Sequence, residues 1–192
     1  MLSYLLEKFN AYWYPKKGIF GKLGLPFSYK DEKTLYRSSL IYGPSQCGKT
    51  SFYLGYLKGK TDVLYFPLKN IKTDRDVCER FKESSGSNHD NSFVIIKELE
   101  NAIDERRVVT KNSRLKIFIV VDDLQDAIIP EGQDVNFLPE IRFIMGNFLD
   151  LAFSREKAVV AYLTNSEKTE RAFRKQSGHN SRFFIANFDD DR

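Results

Sequence analysis

The stretch "SSLIYGPSQCGKTSFYLGYL", Ser38 to Leu57, decides the fold. At its centre Gly43-Pro44-Ser45-Gln46-Cys47-Gly48-Lys49-Thr50 fits the pattern G-x-x-x-x-G-K-[ST]. The apolar run Leu35 to Tyr42 reads as a strand entering this loop, and Thr50 to Leu57 reads as a helix ended by Gly59. Strand, glycine bend and helix are the context the pattern requires. Gly43 and Gly48 let the backbone turn so that successive N–H groups converge on phosphate oxygens. The helix beginning near Lys49 adds its positive end. Lys49 is expected to reach the β- and γ-phosphates, and the Thr50 hydroxyl to hold Mg²⁺. Residues Gly43 to Ser51, with Ser51 following Thr50, form the expected nucleotide-binding segment. Cys47 falls at a variable position, so its thiol is incidental to the chemistry.

A phosphate loop needs a carboxylate near its magnesium, carried by the tip of a neighbouring buried strand. "KIFIVV", Lys116 to Val121, is the clearest buried strand, and it runs into Asp122 and Asp123. Asp122 is the expected metal-site acid. Acids also commonly follow strands as turn formers, and it is the pairing with Lys49 that favours the functional reading. A third strand, "AVVAYL" from Ala158 to Leu163, ends in Thr164-Asn165-Ser166. Asn165 suits a sensor of the γ-phosphate, and the same tripeptide suits a turn or helix cap.

Outward from these elements, apolar strands alternate with amphipathic helices. Asp62 to Leu68 is a short strand bent by Pro67. Thr73 to Phe81 is helical, and "ESSGSNHDNS" is a loop. Phe93 to Arg107 is helical, although "FVII" alone also reads as strand. Residues 123–136 read as an acidic loop. Phe137, Ile141, Ile144, Phe148 and Leu151 mark one face of a helix, and Arg182 to Phe188 is a last strand. This alternation predicts an α/β fold: a P-loop NTPase three-layer sandwich with a central, mostly parallel sheet. Residues 1–34 hold an amphipathic helix (Leu2, Leu5, Leu6, Phe9, Trp13) and an irregular segment with Lys16, Lys17 and Lys22; residues 35–192 form the ATPase domain.

The bulk properties fit this reading. The chain has 192 residues, 42% hydrophobic and 14% aromatic, enough for one sizeable core, and a net charge of +4. Two cysteines, Cys47 and Cys78, do not make a disulfide framework. No apolar run approaches the ~20 residues that cross a bilayer. An intracellular location, cytoplasm or nucleus, is expected, without a membrane partner.

The order of loop, acidic strand and polar strand end resembles the additional-strand division of P-loop ATPases. From about Leu40 to Arg192 the chain is most similar to the RecA family, in particular to recombinase paralogs. "DVLYFPLKNIKTDRDVCERF" and "VVDDLQDAIIPEGQDVNFLPEIRFIMGNFLDLAFSREKAVVAYLTNS" follow that family's plan. The resemblance implies ATP and Mg²⁺ as cofactors and a role in DNA recombination or repair within a multiprotein complex. It also implies contact with single-stranded DNA through the segment after Asn165, with Lys168, Arg171, Arg174, Lys175 and Arg182. The same residues also suit a solvated helix with Glu167–Arg171 and Glu170–Arg174 pairs. Where the family carries its catalytic Glu, this chain has Lys69, so ATP binding is expected with weak hydrolysis. "LIYGPSQCGKTSF" equally resembles AAA+ ATPases related to origin recognition. In them the catalytic Glu follows the metal-site Asp, at the position of Asp123, and Arg182 is a candidate trans-acting arginine. A viral-type DNA-packaging ATPase and a non-hydrolysing, nucleotide-stabilised assembly subunit are the further alternatives.

Overall fold

The computed structural model describes residues 37–58, 62–131, 134–176 and 182–187. The expected N-terminal helix, its basic cluster and Gly59 lie outside the described residues. Five strands form one parallel sheet: β1 Ser39–Tyr42, β2 Val63–Pro67, β3 Ile117–Asp122, β6 Ala158–Thr164 and β7 Phe184–Asn187. Their order is β2-β3-β6-β1-β7. β3 and β6 sit inside the sheet and are buried at every position, which is why they read as continuous apolar runs rather than alternating ones.

Among the described residues the α-helices are α1 Lys49–Leu57, α2 Asp74–Ser85, α3 Ser92–Thr110, α4 Pro139–Leu149 and α5 Glu167–Lys175. Local chemistry sets their ends. Thr73 and Asp76 form a capping box at the start of α2, and Gly86 closes it at φ 66°. The Asn91 side chain accepts from the amides of Phe93 (2.9 Å) and Val94 (3.3 Å). That cap starts α3 and turns "FVII" into helix rather than strand. Pro139 sits in the first turn of α4, where its missing N–H costs nothing. A π-helical turn, Asp150–Ser154, follows α4.

The two sheet faces pack differently. Leu40, Leu64, Phe66, Ile119, Val121, Val160 and Tyr162 meet α2, α3, α4 and α5 in the larger core. Aromatic rings knit it, with Phe66 and Phe81 at 5.1 Å and Tyr162 and Phe173 at 5.2 Å between centroids. On the other face Ile41, Phe118, Val120, Val159, Ala161 and Leu163 meet Tyr53 and Leu57 of α1.

Two segments differ from the sequence reading. The expected loop at 123–136 contains a 3₁₀ turn, Leu124–Ala127, and an antiparallel hairpin of β4 Ile128–Glu131 and β5 Asp134–Phe137. Phe137 is buried, and the Leu138 amide donates to the Ala127 carbonyl at 2.9 Å, closing the hairpin base. The segment after Asn165, expected as a DNA-contacting loop, is the regular helix α5. No helix among the described residues is long and apolar enough to cross a membrane.

Candidate nucleotide site

The carboxyl ends of β1, β3 and β6 lie side by side at one edge of the sheet. Tyr42 is in register with Thr164, and the Gly43 amide donates to the Thr164 carbonyl at 3.2 Å. The chain leaves β1 toward the α1 face and leaves β6 toward the α5 face. Adjacent strands whose connections part in this way open a crevice, and ligands of parallel α/β sheets bind there. A cleft of about 480 Å³ occupies the spot, lined by residues Ser45 to Ser51 and by Asp122, Asp123 and Asn165 among others.

The loop bends through positive φ at Gln46 (62°) and Gly48 (94°). Gly43 acts differently from expectation: it and Pro44 offer their carbonyls to the loop lysine. The Lys49 ammonium donates to Gly43 O at 2.7 Å and Pro44 O at 2.6 Å. It lies 3.4 Å from Cys47 Sγ. The cation is thus folded over the mouth of its own loop and is only 8% exposed. A phosphate chain entering the cleft would compete for that ammonium with carbonyl oxygens, which carry less charge.

Asp122 meets the loop directly. The Thr50 hydroxyl donates to Asp122 Oδ2 at 2.6 Å, the Tyr65 hydroxyl donates to the same oxygen at 2.9 Å, and the Asp123 amide donates to Oδ1 at 2.9 Å. Three donors fix the carboxylate. Burial, with the charge of Asp122 beside it, pushes the Tyr65 phenol well above its ordinary value, so it stays a donor. Thr50 and Asp122 present hard oxygen atoms side by side, the donor type that suits Mg²⁺ with its retained waters.

Asp123 sits at φ 54°. Burial first, and then the Asp122 charge, raise its carboxyl above the usual aspartate value. Gln125 Nε2 donates to Asp123 Oδ1 at 3.0 Å, while Gln125 Oε1 accepts from Thr164 Oγ1 at 3.2 Å and from the Asn165 amide at 3.4 Å. Asn165 itself is exposed at the cleft. The alternative reading of its neighbours also applies: the Ser166 amide donates to Thr164 Oγ1 at 3.2 Å, a local turn leading into α5. Lys69 lines the same cleft.

The five expected DNA-contacting cations are all exposed, four of them on α5. On α5, Arg174 pairs with Glu170 at 2.7 Å and Arg171 with Glu167 at 3.8 Å, the helical i,i+4 arrangement. Lys168 and Lys175 are exposed on the same helix. Arg182 precedes β7 and therefore lies at the opposite end of the sheet from the cleft, its guanidinium 5.9 Å from the Phe153 ring. Two site residues escaped the sequence reading. Tyr65 was hidden inside an apolar strand, where only its hydroxyl set it apart. Gln125 was hidden among acids taken as loop.

No family model and no curated protein matches the chain. Among solved structures it is similar to Drosophila ORC bound to GC-rich DNA and Cdc6, at 12% identity and TM-score 0.52, covering 97% of this chain and 57% of that one. It is likewise similar to Drosophila ORC bound to AT-rich DNA and Cdc6, at 12% identity and TM-score 0.51, covering 97% and 55%. The Aeropyrum pernix ORC2 protein, solved as ADPNP–ADP complexes, gives 14% identity and TM-score 0.53 over 79% of this chain and 41% of that one. The chain thus spans about half the length of these structures or less. Such a likeness defines a class of architecture: a P-loop NTPase fold with a central parallel sheet between helices. These structures are of origin-recognition type, so they lend the recombinase expectation no support.

Proposed function

We propose that the cleft binds ATP with Mg²⁺ and that the chain is a nucleotide-responsive ATPase subunit of the AAA+, origin-recognition-like kind. The observation that carries this is the 2.6 Å contact from the Thr50 hydroxyl to Asp122, which joins the phosphate loop to the acid of a strand seventy-two residues away in sequence. In this reading the loop amides of Ser45 to Thr50 and the Lys49 ammonium hold the phosphates. Thr50 and Asp122 hold the metal, which when bound screens the charge of the phosphate oxygens. Asn165 faces the third phosphate. Asp123 is the candidate water-orienting acid. It is one methylene shorter than glutamate, and Lys69 is cationic, so turnover is slow.

The choice of ATP rests on resemblance and on the adenine nucleotides named in the Aeropyrum pernix structure. The Drosophila structures contain DNA and Cdc6. By analogy this chain works with protein partners on DNA, inside the cytoplasm or nucleus. The recombination and repair role implied by the first resemblance has nothing further in its favour.

The test is calorimetric titration of the purified chain with Mg·ATP. Binding is expected, weakened at least tenfold (about 1.4 kcal/mol) in Lys49→Ala. Absence of binding in the wild type would remove the proposal.

A further inference from the structure

We infer that Gln125 is a positioning residue that ties the Asp123 carboxylate to the Thr164–Asn165 strand end, making the two sides of the cleft respond together to a third phosphate. The inference rests on the nucleotide reading of this cleft and goes beyond it by naming what confers preference for a triphosphate.

Three contacts support it. Gln125 Nε2 reaches Asp123 Oδ1 at 3.0 Å, and Gln125 Oε1 receives both Thr164 Oγ1 at 3.2 Å and the Asn165 amide at 3.4 Å. The orientation of the side-chain amide follows from its partners. The Asn165 N–H can only donate, so the amide oxygen faces β6 and the NH₂ group faces Asp123. Gln125 therefore spans two strand ends that share no direct backbone pairing at this level: the register of β3 with β6 stops at Val121 and Tyr162. Without the glutamine, Asp123 and Asn165 would be placed by separate loops. The bridge is also selective in position. Its hydrogen bonds go to none of Lys49, Thr50 or Asp122, the groups assigned to the first two phosphates and the metal. Its loss should affect the third phosphate and spare the rest.

The experiment measures equilibrium affinities, in Mg²⁺, for ADP and for the non-hydrolysable imidotriphosphate analogue of ATP. It compares the wild type with Gln125→Ala and Gln125→Glu. The wild type should prefer the triphosphate. Both variants should lose at least about fivefold of that preference, with ADP affinity unchanged within about twofold. Gln125→Glu keeps the side-chain volume and replaces the NH₂ donor by an oxygen facing Asp123, so it tests the bridge even if the alanine variant folds poorly. An unchanged preference in Gln125→Glu overturns the inference, as does a wild type that binds both nucleotides equally. A wild type that binds neither overturns the nucleotide reading itself.

Discussion

Gly48 shows how one residue sets the site. Its φ of 94° is a conformation L side chains rarely adopt, yet a Cβ placed there meets no atom within 4 Å. The cost of Gly48→Ala is therefore backbone strain alone. A loss of about 1 kcal/mol is expected in denaturant unfolding, with weakened nucleotide binding as the loop amides rotate. Asp123 yields a second expectation. Its carboxyl is raised above the usual aspartate value by burial and by Asp122, so it protonates at a higher pH than an exposed aspartate. In the metal-free protein its side-chain NMR signal should titrate with a midpoint above the ordinary value of 3.8. Asp123→Asn should remove that titrating signal and lower turnover at every pH. At this scale the meeting of Thr50 with Asp122 was legible, Thr50 from the spacing of the loop motif and Asp122 from its place at the end of a buried apolar strand. Tyr65 and Gln125 were not, because each acts through a contact between segments distant in sequence.

At the scale of elements, an ionic cluster joins α3 to the turn before β6. Glu100 receives Lys157 at 2.9 Å, Lys97 at 3.2 Å, and Arg155. Lys157 also pairs with Asp104 at 2.6 Å, and Arg155 with Asp150 at 2.6 Å. Burial would raise the Glu100 carboxyl, but the hydrogen bonds from Lys157, Arg155 and Lys97 override it and hold it at about 2, below the ordinary 4.5. A carboxyl depressed in the folded state adds stability that is whole above the unfolded value. That stability is lost as pH falls from about 4.5 toward 2. Glu100→Gln should cost about 2–3 kcal/mol at neutral pH, with the difference from wild type shrinking through that window in pH-dependent unfolding. Element types were legible where period and caps agreed, as in α2 and in the buried strands. The β4–β5 hairpin was not. Glu131, Gly132 and Asp134 gave its segment a loop composition, and its signal is burial of Phe137 against a distant core. α5 was legible only as an alternative, since its cations also suit a DNA surface; Arg171 and Arg174 have the expected glutamate partners in place.

Across the whole molecule, the two-sided core sets three strand ends in register. The cleft is the consequence of the connections leaving parallel β1 and β6 toward opposite faces rather than of any one loop. A ligand that binds there clasps α1, β3 and β6 together and should stabilise the folded chain as a unit. At a hundredfold excess over its dissociation constant, Mg·ATP should add about 2.7 kcal/mol, a rise of roughly 5–10 °C in Tm. A central, mostly parallel sheet was legible from alternating runs and helices; its strand order was not. The choice between recombinase and origin-recognition relatives was not, because both resemblances rest on the same loop and strand ends.

The pairing of Thr50 with Asp122 is best tested by titrating ATP with and without Mg²⁺ into the wild type, Thr50→Ala and Asp122→Ala. Magnesium should raise wild-type affinity by at least about tenfold and change it by less than about twofold in either variant. Equal wild-type affinity with and without the ion, or a magnesium effect that survives in both variants, would contradict a metal site built from these two side chains.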